Sequence, residues 1–361
     1  MRIERFDPIA DQQRLRACFQ IVDACGDHDD PELPHQTFPV FANGWAHGWG
    51  NPTQTWLACD EVGEPIGCYL LVLPDRDNPT VASCALFIAP AYRRSGHGRR
   101  LLAHCADQAR LAGRSRLTAQ IAQDSPAAAF AGARIGISEV LRVLTVDDAV
   151  RSRLPGLRAE ATQASRRYSL VSWLGATPEE RIHGAAGVEL AMADAPRDPG
   201  VEPESWDADR IRKVEQLGIA AGQQFYAVAA LHDDSGEMVA LTQIATSSGV
   251  PGWGFQHLTA VLADHRGHRL GLLVKTANLE LVLGHEPGLR SIVTGNAGPN
   301  DHMITINDML GFRVRSVRRN CELDLTAARQ RGRAGPENSD RPSRSRAYTY
   351  ESVVSDGGLH P

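Results

Sequence analysis

Lysine is almost missing from this chain of 361 residues: Lys213 and Lys275 stand alone, although arginine is abundant. The arginines are scattered and the formal net charge is −5, so the concentrated basic surface that nucleic acid requires is not expected. Seven cysteines form no CxxC pair and no metal-ligand spacing. Their number is odd and several lie in apolar stretches, where a free thiol packs as a small hydrophobe; a reducing compartment and no metal are expected. No apolar run approaches the ~18 residues of a membrane helix, and residues 1–25 lack a basic-then-apolar leader. The expectation is a cytoplasmic protein with no membrane partner.

What is present is ordinary for a globular chain, with 42% hydrophobic and 22% charged residues. The length suits two domains of about 150–170 residues, each able to bury a core. Residues 1–6 read as a strand, and Leu15, Cys18, Phe19 and Val22 recur at helical spacing over about 9–24. TWLACDEVGEPIGCYLLVLPD reads as a hairpin around Gly63–Pro65, and VASCALFIA at 81–89 as a further strand. A helix to about Ala112, a strand at 116–122, a short helix near 126–135 and a strand at 137–146 follow. From Tyr168 the order repeats: a strand, a helix opened by Thr177-Pro178-Glu179-Glu180 as a capping box, and a helix at 205–221. A hairpin (225–231 and 238–246) and a strand at 253–262 come next. They precede a helix to about Gly284, a strand at 290–295, a helix at 300–310 and a strand from Phe312. Two halves with one strand–helix order are an internal repeat. The expected organisation is a domain at 1–147, a linker at 148–165, a second domain at 166–326, and a mobile tail at 327–361 that holds too little apolar content to offset its ordering entropy. YTYESVV in that tail is a weak candidate for an edge strand.

Each half carries a glycine-bearing turn between a strand and a helix. In FIAPAYRRSGHGRRLL the strand ends at Ile88 and the helix begins within Arg93, Arg94, Ser95, Gly96, His97 and Gly98. In LTAVLADHRGHRLGLLVK the same interval is Arg266, Gly267, His268, Arg269, Leu270 and Gly271. Unpaired N–H groups at a helix start, with the dipole's positive end, suit a pyrophosphate, and glycine lets the backbone approach it. One such turn alone would as easily be a solvated basic loop; two at equivalent places of a repeat point to phosphate.

On these residues the chain resembles the GNAT acyltransferases, whose turn reads Gln/Arg-x-x-Gly-x-Gly/Ala. The first half matches with Arg93, Gly96 and Gly98; the second matches with Arg266 and Gly271 and departs at Arg269. A second family pattern, Asn-x-x-Ala-x-x-Leu-Tyr-x-x-x-Gly-Phe, is nearly kept as NDHMITINDMLGF, with Asn300, Met303, Ile306, Gly311 and Phe312 in register and Asn307 at the tyrosine position. SPAAAFAGARIGI in the first half keeps Gly136 but has Gly132 at the tyrosine position. The surroundings of Trp173, Asp194-Ala195-Pro196 and Trp206 are similar to tandem actinobacterial members, the group that includes mycothiol synthase.

The resemblance implies an α/β fold of two tandem GNAT domains, each a mostly antiparallel mixed sheet with a splayed parallel centre, flanked by helices. It implies acetyl-CoA as co-substrate, a small-molecule amine as acceptor, and direct attack of amine on thioester without a protein nucleophile. Pantetheine would bond the backbone of the strand before the turn, at Val261, Leu262 and Ala263 or at Ile88–Pro90, with Asn300 and Met303 on the neighbouring wall. A tyrosine commonly protonates the departing thiolate in this family. Asn307 has no such proton and is either a hydrogen-bond donor to the reaction or an amide tied down elsewhere.

His257 is the candidate general base, since an ordinary imidazole accepts a proton near neutral pH. Strand alternation places it with Thr259 and Val261 on one face, with Gln256 and Leu258 on the other, so it is alternatively a packed ring. Glu202, Glu204 and Glu215 read as solvated charge, and Asp27-His28-Asp29-Asp30 as a polar surface turn. Trp45 and Trp49 line an acceptor pocket or anchor their loop. The second half, which keeps the Asn300–Phe312 pattern, is the expected catalytic one. The alternatives are a non-catalytic acyl-CoA sensor and, within the same class, a different acyl donor or acceptor; the G-x-G-x-x-G spacing of a dinucleotide oxidoreductase is absent.

Overall fold

The computed structural model describes residues 1–123, 134–194, 196–298 and 300–326. The tail from 327, with its candidate edge strand, and most of the helix expected near 126–135 lie outside these residues. Twelve strands and eight helices are formed among the described residues.

The chain forms two compact units that are not its two halves in sequence. Unit 1 takes Met1–His35, Trp45–Gly136 and the described residues from Arg318 on; unit 2 takes Gln36–Gly44 and Ile137–Val317. In unit 1 the strands β1 (Arg2–Phe6), β2 (Thr53–Cys59), β3 (Pro65–Val72), β4 (Val81–Ile88) and β5 (Arg116–Ala122) lie in sequence order. Helix α1 (Gln12–Asp29) stands before β2, and α3 (His97–Leu111) joins β4 to β5. All pairs are antiparallel except β4/β5. The outer position beside β5 is filled by Arg318–Asp324 of β12 (Arg313–Asp324), antiparallel.

Unit 2 has the same plan. Strands β7 (Tyr168–Leu174), β8 (Gln223–His232), β9 (Met238–Ser247), β10 (Trp253–Val261) and β11 (Ser291–Ala297) run in order, with β10/β11 parallel and the rest antiparallel. Its outer position beside β11 is filled by β6 (Arg134–Thr145). The last strand of each sequence half thus completes the sheet of the other unit. The expected boundary at 147 and the second domain at 166–326 therefore do not coincide with the compact units. Periodicity identifies a strand but not its partner, because pairing is decided by register and available edges.

The stretch expected as a linker is helix α4 (Asp148–Ala164), capped by Asp147, whose side chain accepts from Val150 N–H. Val150, Leu154 and Ala161 are buried with α7 (Leu270–His285) and strands β8 and β9 in one core of unit 2. Each buried Val or Leu contributes about 1.5–3 kcal/mol relative to exposure, so α4 is a core element and not a tether. On the opposite face α5 (Ile182–Leu190) and α6 (Ala208–Ala220) pack Ile182, Ala185, Val188 and Ile211 onto Ala227, Leu241, Leu258 and Ala260. The remaining helices are α2 (Phe38–His47) and α8 (Asp301–Leu310). In unit 1, Leu101, Cys105 and Ala109 of α3 pack on Trp56, Tyr69 and Leu71, with Leu325 from beyond β12 in the same core.

The capping box expected at Thr177 is not formed. A short 3-10 turn, Glu179–Arg181, precedes α5, and the Thr177 backbone N–H and hydroxyl both donate to Glu215 Oε1 at 2.9 and 2.6 Å. Glu215 is buried and not solvated charge, and Glu204 is held at 2.8 Å by Arg210. A tertiary acceptor displaced the local one.

Candidate active site

The two turns share one backbone path. Arg93 (φ −72°, ψ 161°) and Arg266 (φ −68°, ψ 162°) each close a short 3-10 turn and fold back onto the end of the preceding strand. Arg93 Nε donates to Ile88 O at 3.0 Å and Arg266 Nε to Val261 O at 3.3 Å. Two positions in each turn take positive φ: Arg94 (67°) and Gly96 (82°) in the first, Gly267 (84°) and Arg269 (56°) in the second. Glycine and arginine have changed places, so the departure at Arg269 leaves the path intact. Arg269, at positive φ, forms an ion pair with Glu160 of α4.

Helices α3 and α7 begin directly after Gly96 and Arg269, and neither has a capping side chain. Helices α1, α4, α6 and α8 are each capped by an Asp or Asn side chain: Asp11, Asp147, Asp207 and Asn300. The first amides of α3 and α7 are therefore left to an external acceptor, and the dipole favours an anion there. This fits the pyrophosphate of a coenzyme A ester. The motif arginines brace the turns. Arg93 is held by both carboxylate oxygens of Asp29 at 2.7 Å, and Asp29, expected in a surface turn, has a side chain with no exposure. Arg266 pairs with Asp194 at 2.9 Å, both partly exposed. Arg94, Ser95, His268 and Arg269 are exposed, and His97 is half-buried. Gly98 is loosely surrounded, but a Cβ at Gly271 would stand 2.9 Å from Ile306 of α8, so that glycine serves helix packing.

Both parallel centres splay. β4 and β5 pair only at Val81–Ser83 with Arg116–Thr118, and β10 and β11 only at Trp253–Phe255 with Ser291–Val293. Beyond these rungs each strand runs on, leaving a gap that opens toward the phosphate turn. The turn-proximal backbone is largely engaged: Leu262 N–H donates to Val239 O, Ala263 O accepts from Arg266 N–H, and Ala89 N–H donates to Ile66 O. The edge of β10 from Gln256 onward faces the gap instead.

β10 differs from β4 in one respect. The β3/β4 register is unbroken from Gly67 to Val72, whereas β9/β10 slips between Gln256 and Thr259, so that His257 and Leu258 together oppose Gln243. This bulge overturns simple alternation. Gln256 and Thr259 both reach Thr242 Oγ1, at 3.1 and 2.8 Å, on the α7 face. His257 packs edge-on to Phe225, 5.9 Å between centroids, and Leu258 joins the α5/α6 core. His257 thus lies on the face opposite α7, half-buried.

Asn307 is fully buried on α8, and its Nδ2 donates to Asn296 Oδ1 at 2.7 Å, on the part of β11 beyond its pairing with β10. Its Oδ1 has no hydrogen-bond partner. Asn300 caps α8 by accepting from Met303 N–H at 3.2 Å. Trp45 and Trp49 are buried, which fits anchoring. Two further residues had no sequence signal beyond their charge. Glu189 closes α5 with a buried, unpartnered Oε2; burial first, and then Glu204, push its carboxyl up to about 8. Lys275 lies inside α7, 3% exposed, and burial lowers it to about 7.

Uncapped helix starts beside splayed parallel strands recur in both units. The profile of the Acetyltransferase (GNAT) family matches residues 15–136. Among solved structures, the chain is similar to a tandem GNAT protein from the clavulanic acid biosynthesis pathway, at 27% identity and TM-score 0.75, over 91% of this chain and 99% of that one. A GCN5-related N-acetyltransferase from Sphaerobacter thermophilus shares the fold at 15% identity and TM-score 0.57, over 90% and 95%. No curated protein matches. The chain carries a GNAT acetyltransferase domain within the fold of a tandem GNAT protein. No described helix is long and apolar enough to cross a membrane.

Proposed function

We propose that the protein transfers an acetyl group from acetyl-CoA to a primary amine of a small molecule, in the reducing cytoplasm, with unit 2 as the catalytic unit. The observation that carries this assignment is the bulge at His257–Leu258. It sits where β10 has parted from β11, and bulges next to active sites re-aim side chains. The regular β4 of unit 1 has Cys84 at the position of His257.

In this reading the amides at the start of α7 hold the pyrophosphate and the thioester lies in the gap between β10 and β11. The neutral amine attacks the thioester carbon from the α5/α6 side; the C–N bond forms as the C–S bond breaks and the thiolate leaves. His257 takes the amine proton. Holding both reactants in line supplies most of the rate enhancement. Asn307, bonded to Asn296, shapes the wall and carries no proton to the thiolate.

Ser95 and His268 occupy the same turn position and are exposed, so a carboxylate at either meets the phosphates without disturbing a core. With thiol release measured across an amine panel, His268→Asp lowers turnover at least tenfold more than Ser95→Asp. Equal or reversed effects would move catalysis to unit 1. Tight coenzyme A binding with no turnover on any amine would favour an acyl-CoA sensor instead.

A further inference from the structure

One stripe of α7 is polar where a helix core is expected to be apolar. A Cβ at Gly271 would point between Ile306 of α8, at 2.9 Å, and Val261 at the end of β10, at 3.9 Å. Lys275 and Asn278 follow at i+4 and i+7, on the same face. Lys275 is 3% exposed and Asn278 is fully buried. Among the described residues neither Asn278 Oδ1 nor Asn278 Nδ2 has a hydrogen-bond partner, and the same holds for Asn307 Oδ1, one residue after Ile306. Lys275 Nζ stands 5.3 Å over the ring of Phe312, whose N–H donates to Asn307 O. A buried cation without an anion and two buried amides with open hydrogen-bonding positions are each costly unless a ligand meets them.

The acids on neighbouring elements are engaged elsewhere: Glu160 with Arg269, Asp308 with Arg142, Glu280 with Arg158, and Glu286 with Tyr226 and Thr246. Burial lowers Lys275, and no carboxylate among the described residues offsets it by holding the ammonium. Unit 1 supplies the control. At the corresponding positions of α3 it has Leu102 and Cys105, both packed in its apolar core.

We propose that unit 2 also accepts acyl-CoA donors whose acyl chain ends in a carboxylate, with Lys275 and Asn278 binding that carboxylate at the closed end of the gap. This rests on the acyl-transfer reading above. The charged pair forms in a dry site, where a hydrogen-bonded ammonium–carboxylate contact discriminates strongly against a donor that leaves it unmade.

The test compares succinyl-CoA with butyryl-CoA, which has the same chain length and no carboxylate, by calorimetry on the intact protein. Succinyl-CoA is expected to bind at least tenfold more tightly, and at pH 8 to take up a proton as Lys275 regains its charge. Lys275→Met, apolar and of similar length, brings the two dissociation constants within about twofold and removes the proton uptake; Asn278→Leu narrows the ratio. Equal binding of the two esters by the unsubstituted protein, or a preference that survives Lys275→Met, overturns the proposal and leaves acetyl transfer standing. Failure of every coenzyme A ester to bind overturns both.

Discussion

The two glycine-bearing turns of this chain have the same backbone and different electrostatics. In the first, the brace is buried: Arg93 meets Asp29, whose side chain is wholly enclosed. In the second, the corresponding Arg266 meets Asp194 near the surface, and Arg269, at positive φ, pairs with Glu160. The strands beside them differ likewise, β4 regular and β10 bulged, and so do the helices, α3 apolar and α7 polar along one stripe. Beside its turn, unit 2 has a bulged strand, a buried lysine and a buried amide without a partner among the described residues, where unit 1 has a regular strand and an apolar helix stripe; such features lower stability and cluster at functional sites.

The largest effect should come from cutting the repeat where its sequence suggests. A chain ending at 147 lacks Arg318–Asp324, so β5 is left as an open edge. Such a piece is expected to aggregate or to show no cooperative unfolding, whereas the intact chain unfolds cooperatively. A soluble, cooperatively folded 1–147 would show that the exchanged strand is dispensable.

Next in size is the contrast between braces. Arg93→Ala leaves Asp29 buried without its partner and should lower stability by about 3 kcal/mol or more, while Arg266→Ala, an exposed pair, should change it by about 1 kcal/mol or less. Denaturant titration of both variants separates them; similar losses would mean that the second brace is as structural as the first.

The smallest and most pH-dependent effect belongs to Lys275. Its folded value, near 7, is below the ordinary 10.5, so between these pH values the unfolded chain binds more protons than the folded one. Stability gains from this group as pH rises through that window, by up to about 1.4 kcal/mol per unit, and its penalty is constant below pH 7. Lys275→Met should therefore stabilise the protein by the order of a few kcal/mol at pH 7, with the gain fading toward pH 10. A gain independent of pH would place the lysine's charge in solvent.

Much of the fold was legible from periodicity and turn chemistry. Both hairpins and the helices α3, α7 and α8 stand close to where spacing placed them, because amphipathic periods and glycine turns act locally. Thr177 shows the limit. Its motif satisfied every local rule for a capping box, yet its hydroxyl serves Glu215, 38 residues away. The Asp27–Asp30 run failed for the same reason: no local pattern announces that Asp29 will be enclosed against Arg93. His257 sat in an alternating strand whose alternation breaks at that residue.

By itself the sequence determined the element order, the repeat and the two turns, since each depends on residues within one or two helical turns or strand rungs of each other. Only the tertiary structure decided which strand closes which sheet, where the bulge turns His257, and that Lys275 and Asn278 are buried with open bonding positions. Those outcomes depend on edges and packing contributed by other elements of the chain, and pairwise spacing in one sequence holds no record of them.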